Sequence, residues 1–179
     1  TAGLHRRASD WLSAQGMILE ALDHALSAGD MELAARLVSA NVLALVEHAE
    51  LAPILRQVEN TPPEQREAQP WLGVAYAWAL AYSGQIERAH TALTLAEERL
   101  QMLPQIDRDQ IAGHIAAVRA YAAWVHGNQD QAVELSEQAS VLLPLTETAV
   151  RALNLTTLGN SLNQYAASQR SVAALEQAV

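Results

Sequence analysis

The chain has 179 residues, half of them hydrophobic, so it is long enough to bury a real core and is not expected to be disordered. Acidic side chains outnumber basic ones, 20 against 11, and this balance argues against a nucleic-acid or membrane surface. Cysteine and lysine are absent, which excludes a disulfide framework, a thiolate zinc site, a cysteine nucleophile, a lysine-bearing phosphate loop and a Schiff base in these residues.

Apolar residues three and four positions apart predict helices along the whole chain and no strand. The predicted helices cover about 2–15, 17–28, 31–48, 50–59, 70–83, 85–103, 107–126, 129–143, 146–166 and 168–179. The strongest break is Asn60-Thr61-Pro62-Pro63, which predicts a boundary between an irregular helical region, 1–60, and helical repeats, 61–179. No apolar run reaches the roughly 20 residues of a membrane helix.

A small residue followed five positions later by Ala recurs between helical segments. The instances are Gly16–Ala21, Gly29–Ala34, Gly84–Ala89, Gly127–Ala132 and, with Ser for Gly, Ser168–Ala173. The Gly is predicted to end one helix in a left-handed conformation, and the Ala to let the next helix approach closely. Gly84 and Gly127 are 43 positions apart, a period typical of stacked helix pairs.

The second half resembles a tetratricopeptide repeat. Gly127, Ala132, Ala139 and Pro144 match the spacing of that motif, and Trp71-Leu72-Gly73 with Tyr76 is a partial match to its first half. We therefore predict an all-α fold, a right-handed superhelix of about ten helices in tetratricopeptide-like hairpins. This resemblance concerns architecture and implies no particular function.

A longer run resembles the MalT-type transcription regulators, which are large signal-transduction ATPases with a LuxR-type DNA-binding end. It comprises residues 4–12 (LHRRASDWL), 20–30 (EALDHALSAGD) and 34–37 (AARL), with 70–72 (PWL) and 75–80 (AYAWAL) further on. The resemblance implies a cytoplasmic sensor region that follows ATPase and winged-helix parts, contacts other domains of the parent protein and binds a small-molecule inducer or a regulatory protein. The chain begins at Thr1 without Met and ends in a helical pattern, so we expect a piece of a longer protein.

The sequence has no phosphate-loop motif and no basic helix-turn-helix end, so ATP hydrolysis and DNA reading are not assigned to these residues. The six histidines show no metal-ligand spacing, and no nucleophile motif is present. We therefore expect no enzyme activity, no cofactor, no metal, no nucleic acid and no membrane for this segment.

Aromatic residues recur in register with the turn glycines. Trp78 lies six positions before Gly84, and Tyr121 lies six positions before Gly127. Counted from the same two glycines, His114 corresponds to Trp71. The candidate binding groove consists of Trp71, Trp78, Tyr82, His114, Arg119, Tyr121 and Trp124. Such a ladder suits a sugar ring or a partner peptide. The alternative is that these rings fill the space between helices in a chain that has no Phe.

Two polar features have both a structural and a functional interpretation. Arg6 is one helical turn from Asp10, which predicts an exposed ion pair or a contact to a preceding domain. The run Asn154, Thr156, Thr157, Asn160, Ser161, Asn163 predicts either a polar ligand site or a face that packs on the next repeat. Exposed apolar end faces would also favour self-association. The alternative function is a tetratricopeptide-type structural adaptor that binds a protein or peptide and is unrelated to transcription.

Overall fold

The structure, a computed structural model, describes residues 1–47, 55–56, 58–62, 64 and 69–176. Within these residues eight α-helices have defined bounds, and no residue lies in a strand, which confirms the all-α prediction for this part of the chain. The helices are α1 (Ala2–Ala14), α2 (Ile18–Ser27), α3 (Met31–Glu47), α4 (Pro70–Tyr82), α5 (Ile86–Glu98), α6 (Gln105–Val125), α7 (Gln129–Leu142) and α8 (Thr148–Glu176), with a 3-10 turn at Leu100–Met102.

Most predicted helix ends agree with the structure, but one predicted break is wrong. Helix α8 runs through Ser168, where the sequence pattern predicted a turn. The reason is that serine carries a Cβ, which disfavours the left-handed conformation that such a turn requires. The segment predicted as 85–103 ends at Glu98 and continues as the 3-10 turn before Pro104. The helix predicted at 50–59 falls largely outside the described residues.

The four predicted turn glycines all adopt positive φ. The angles are 76° at Gly16, 70° at Gly29, 80° at Gly84 and 78° at Gly127. At the end of α4, the Gly84 N–H donates to the Ala81 carbonyl at 3.1 Å and the Gln85 N–H donates to the Leu80 carbonyl at 2.8 Å. This pair of bonds satisfies carbonyls that a helix end leaves exposed, and it turns the chain sharply into α5.

The alanines that follow these glycines are buried where consecutive helices cross. Ala21, Ala34, Ala89 and Ala132 all belong to the core, as the five-residue spacing predicted. At the first crossing the hydroxyl of buried Ser9 on α1 donates to the Ala21 carbonyl at 2.7 Å. Small side chains therefore set a short distance between neighbouring helix axes, and larger apolar residues fill the space beside them.

The chain divides into two compact units, Thr1–Ile111 and Ala112–Val179, and the division falls within α6. In the first unit α1 packs on α2, α2 on α3, α3 on α4 and α4 on α5. In the second unit α7 packs on α8. The boundary predicted from the sequence, at 60/61, separates an irregular helical region from helical repeats. The division into compact units does not test that difference, so the boundary at 60/61 stays a prediction. No helix in the described ranges has both the length and the apolarity that a bilayer crossing needs.

Two helical glycines of the second unit differ in their surroundings. A Cβ added at Gly113 on α6 would lie 3.0 Å from both the Leu143 nitrogen and the Leu143 Cγ, and 3.1 Å from the Leu142 Cβ. A Cβ added at Gly159 on α8 would meet nothing within 4 Å. Gly113 therefore marks a tight contact with the end of α7, whereas Gly159 lies on an open helix face.

We expect Gly113→Ala to lower the free energy of unfolding by about 1–2 kcal/mol, because the overpacking cost exceeds the gain in helix propensity. The control Gly159→Ala is expected to raise it by about 1 kcal/mol, since only the propensity gain applies there. Urea denaturation followed by far-UV circular dichroism measures both. Equal signs for the two substitutions would contradict the tight contact at Gly113.

Candidate functional site

The predicted groove residues of the first unit lie on α4. The indole of Trp78 is 1% exposed and belongs to the core, whereas Trp71 and Tyr82 are half-buried. The Trp78 and Tyr82 rings stack, with centroids 5.7 Å apart and an interplanar angle of 20°. The structure thus brings these two predicted residues together, with one of them sealed from solvent.

The predicted groove residues of the second unit lie on α6. Arg119, Tyr121 and Trp124 are half-buried, and His114 is fully buried. The Tyr121 and Trp124 rings are in contact, with centroids 5.8 Å apart and a tilt of 52°. Burial raises the pKa of the Tyr121 hydroxyl above its ordinary value. A groove that combines these residues with those of α4 stays a prediction.

His114 has the most perturbed ionisation among the described residues. Burial lowers the pKa of its imidazole from 6.5 to about 4, because the interior disfavours the charged form. The Glu147 carboxylate lies 3.9 Å from its Nε2, but this contact is an ion pair only when the ring is protonated. At neutral pH the ring is therefore an uncharged part of the core of this unit.

A cleft lies between α4 and α5, at a position that the sequence analysis did not select. It encloses about 230 Å³. Its lining residues are Gln69, Gly73, Tyr76, Arg88, Thr91, Ala92, Leu95 and Ala96. The apolar floor exists because Gly73 lets α5 approach, since a Cβ added there would lie 3.3 Å from the Ala96 Cβ.

Arg88 organises the polar wall of this cleft. Its Nη2 donates to Glu59 Oε1 at 2.6 Å and to the Tyr76 hydroxyl oxygen at 2.6 Å. The Tyr76 hydroxyl in turn donates to the same Glu59 Oε1 at 3.0 Å, and Arg88 Nη1 also donates to the Gln85 side chain. The Glu59 hydrogen bond raises the pKa of the guanidinium above its ordinary value, so the group is fully charged. Two donors therefore converge on one carboxylate oxygen.

Sequence reasoning missed this cluster because its members are far apart along the chain. Tyr76 and Arg88 lie on opposite sides of the Gly84 turn, and Glu59 precedes the proline-rich break. No spacing rule for one helix or one motif connects these three residues. The only available signal was Tyr76 itself, which belongs to the partial tetratricopeptide match.

The polar run on α8 separates into two faces. Asn154, Thr157 and Ser161 are buried, whereas Thr156, Asn160 and Asn163 are exposed. The Asn154 amide donates to the Ser136 carbonyl at 2.8 Å and to the Ser140 hydroxyl at 3.0 Å. Asn154 therefore joins α8 to α7, whereas the buried Thr157 and Ser161 hydroxyls donate to carbonyls of their own helix.

One contact on the first helices differs from expectation, and a second was not predicted. Arg6 Nε donates to Asp30 Oδ2 at 2.7 Å, in place of the predicted pair with Asp10, because the α2–α3 turn brings Asp30 beside α1. His5 and His24 share a hydrogen bond between their Nδ1 atoms at 2.8 Å. Across the residues that the structure describes, no group of three or more His, Cys, Asp or Glu side chains is arranged to hold a metal ion.

The chain is similar to segments of longer bacterial proteins. It is 29% identical over 174 residues to the HTH-type transcriptional regulator MalT of Cronobacter sakazakii. This alignment covers 97% of this chain and 19% of that protein. The chain is 28% identical over the same span to MalT of Klebsiella pneumoniae. The serine/threonine-protein kinase PknK of Mycobacterium tuberculosis is 34% identical over 128 residues, which covers 68% of this chain and 11% of the kinase.

The chain therefore spans about a fifth of the length of the MalT relatives that it matches. No protein-family model and no solved structure matches it. The similarity to the MalT proteins extends over nearly the whole chain and includes both compact units. By its sequence, this chain is similar to a segment of the MalT-type transcriptional regulators.

Proposed function

We infer that this chain is a non-catalytic regulatory region of a MalT-like transcriptional regulator of the LuxR family, and that it binds an inducer or a regulatory protein. The observation that carries the inference is the similarity to MalT over 97% of the chain. ATP hydrolysis and DNA binding would belong to other parts of the parent protein, and the region would work in the cytoplasm without a cofactor. Binding would shift the equilibrium between two arrangements of this region against its neighbouring domains.

We also propose that the hairpins stack as a right-handed superhelix of tetratricopeptide type. The four left-handed glycine turns and the four buried alanines support this arrangement, since they give successive hairpins a common geometry. On the open face of α8, Leu155 and Leu162 are both about half exposed and lie seven positions apart. This face suits either a further repeat of a longer chain or a second copy of this one.

The adaptor function unrelated to transcription is not favoured, because relatives that cover 97% of the chain are transcriptional regulators. A similar segment nevertheless occurs in a serine/threonine-protein kinase, a different class of protein. A segment that occurs within both a transcriptional regulator and a kinase is best explained as a module that binds a ligand or another protein and does not itself catalyse a reaction.

A titration of the isolated chain with pools of small sugars and metabolites tests the inducer-binding form of the proposal. We expect a saturable change in tryptophan fluorescence from at least one pool, because Trp71 and Trp124 are half-buried and respond to changes at the surface. Trp71→Phe and Trp124→Phe variants then identify the unit that responds. If no pool changes the signal, the inducer form is overturned and only binding of a regulatory protein stands.

A further inference from the structure

The α4–α5 cleft contains two hydrogen-bond donors that already hold a carboxylate. The Arg88 guanidinium and the Tyr76 hydroxyl both donate to Glu59 Oε1, at 2.6 and 3.0 Å. Charge-assisted bonds of this kind are stronger than neutral ones, and a planar guanidinium is well suited to carboxylates. The chain's own side chain thus shows which chemical group this pair of donors recognises.

Glu59 is held in a way that permits exchange. The side chain of Glu59 is 39% exposed and that of Arg88 is 52% exposed, so water reaches both partners. Ion pairs at such exposure contribute little to stability, typically about 0–1 kcal/mol. In the proposal below, rotation of the Glu59 side chain is the step that leaves the position beside Arg88 and Tyr76 to another anion.

The rest of the cleft sets the form of the ligand. Its floor is formed by Gly73, Ala92, Leu95 and Ala96, which offer an apolar surface next to the guanidinium. Among the described lining residues Tyr76 is the only aromatic one, and at 7% exposure it offers little ring surface to the cleft. A sugar ring therefore has no platform to stack on here. The volume of about 230 Å³ is below the roughly 300–1,000 Å³ of drug-sized sites, so the ligand is small.

We propose that the α4–α5 cleft binds a small carboxylate with a short apolar stem, and that this ligand takes the place of Glu59 beside Arg88 and Tyr76. Glu59 then acts as an internal competitor, which keeps the site closed until the ligand concentration is high enough to displace it. The proposal rests on the inferred regulatory function only for its biological meaning, since the exchange of one carboxylate for another can be measured on its own.

The test uses hexanoate as the probe and hexanamide as its uncharged match, with binding followed by ¹H–¹⁵N correlation spectra of the full chain. We expect hexanoate, but not hexanamide, to shift the resonances of the cleft. Glu59→Gln is expected to tighten hexanoate binding roughly two- to five-fold, because the competing charge is gone. Arg88→Gln is expected to weaken it about tenfold or more.

Matched controls are available in the exposed pair Arg36–Glu32, which has the same chemistry in the same unit. Arg36→Gln and Glu32→Gln remove the same charges and are expected to leave the dissociation constant unchanged. The proposal is overturned if hexanamide binds as tightly as hexanoate, or if Glu59→Gln fails to tighten binding. If Arg88→Gln does not fold, the effect of Glu59→Gln on hexanoate binding still decides whether the proposal holds.

Failure of this test and failure of the proposed regulatory function are distinguishable. A chain that ignores hexanoate but responds to a sugar or metabolite pool retains the regulatory function and loses only this ligand class. A chain that binds hexanoate with the expected effects of Glu59→Gln and Arg88→Gln retains the site, even when no pool gives a response at Trp71 or Trp124.

Discussion

Replacing Trp78 by Ala is expected to lower the free energy of unfolding by about 3–5 kcal/mol, because it removes the largest fully buried side chain and leaves a cavity between helices. The Tyr82 ring, which stacks on Trp78 at 5.7 Å, loses its neighbour as well. Urea denaturation, followed by circular dichroism so that the readout does not depend on the indole, measures the effect.

Trp11→Ala is the matched control. Its indole is 62% exposed on α1, so the same substitution is expected to change stability by no more than about 0.5 kcal/mol. Similar costs for the two substitutions would contradict the core placement of Trp78. A small cost at Trp78 together with a loss of ligand binding would instead support its original interpretation as a groove residue.

His114 is expected to make the chain acid-sensitive between pH 6.5 and about pH 4. In this window the unfolded chain binds a proton at His114 and the folded chain does not, so the free energy of unfolding falls as the pH falls. The full shift corresponds to roughly 3 kcal/mol, and the loss levels off below pH 4, where both states are protonated.

The measurement is the urea midpoint of the chain and of His114→Gln at several pH values across this window. Carboxylates also titrate near its lower end, so the informative quantity is the difference in slope between the two proteins. His114→Gln should lose stability less steeply as the pH falls, whatever its stability at pH 7. Identical slopes for the two proteins would show that His114 is not held neutral by burial.

The helices and turns were predictable because their causes are local. Gly16, Gly29, Gly84 and Gly127 each lie between two apolar periodic segments, and each ends a helix with positive φ. The burial of the following alanines was predictable for the same reason, since five positions past such a turn the chain faces the helix that it has just left. Ser168 failed this rule because its Cβ resists the turn conformation, so the helix continues.

The candidate site was much less predictable. Register along the helices correctly placed Trp78 beside Tyr82 and Tyr121 beside Trp124, because residues one turn apart are neighbours on a helix. Register along a helix does not show which face of that helix packs on its neighbours. The burial of Trp78 depends on the helices against which α4 packs. The same uncertainty applied to the polar run on α8, of which Asn154 faces α7 and Asn160 does not.

Residues near one another along the chain account for the helical class, for most of the helix ends and for the likeness to the MalT regulators, so these could be predicted. Which side chains are buried and which converge depends on how the helices pack on one another. Glu59, Tyr76 and Arg88 meet because a turn and a helix crossing bring three separate segments to one point. His114 is held uncharged because its surroundings exclude water, and exclusion of water is a property of packed helices and not of any one of them.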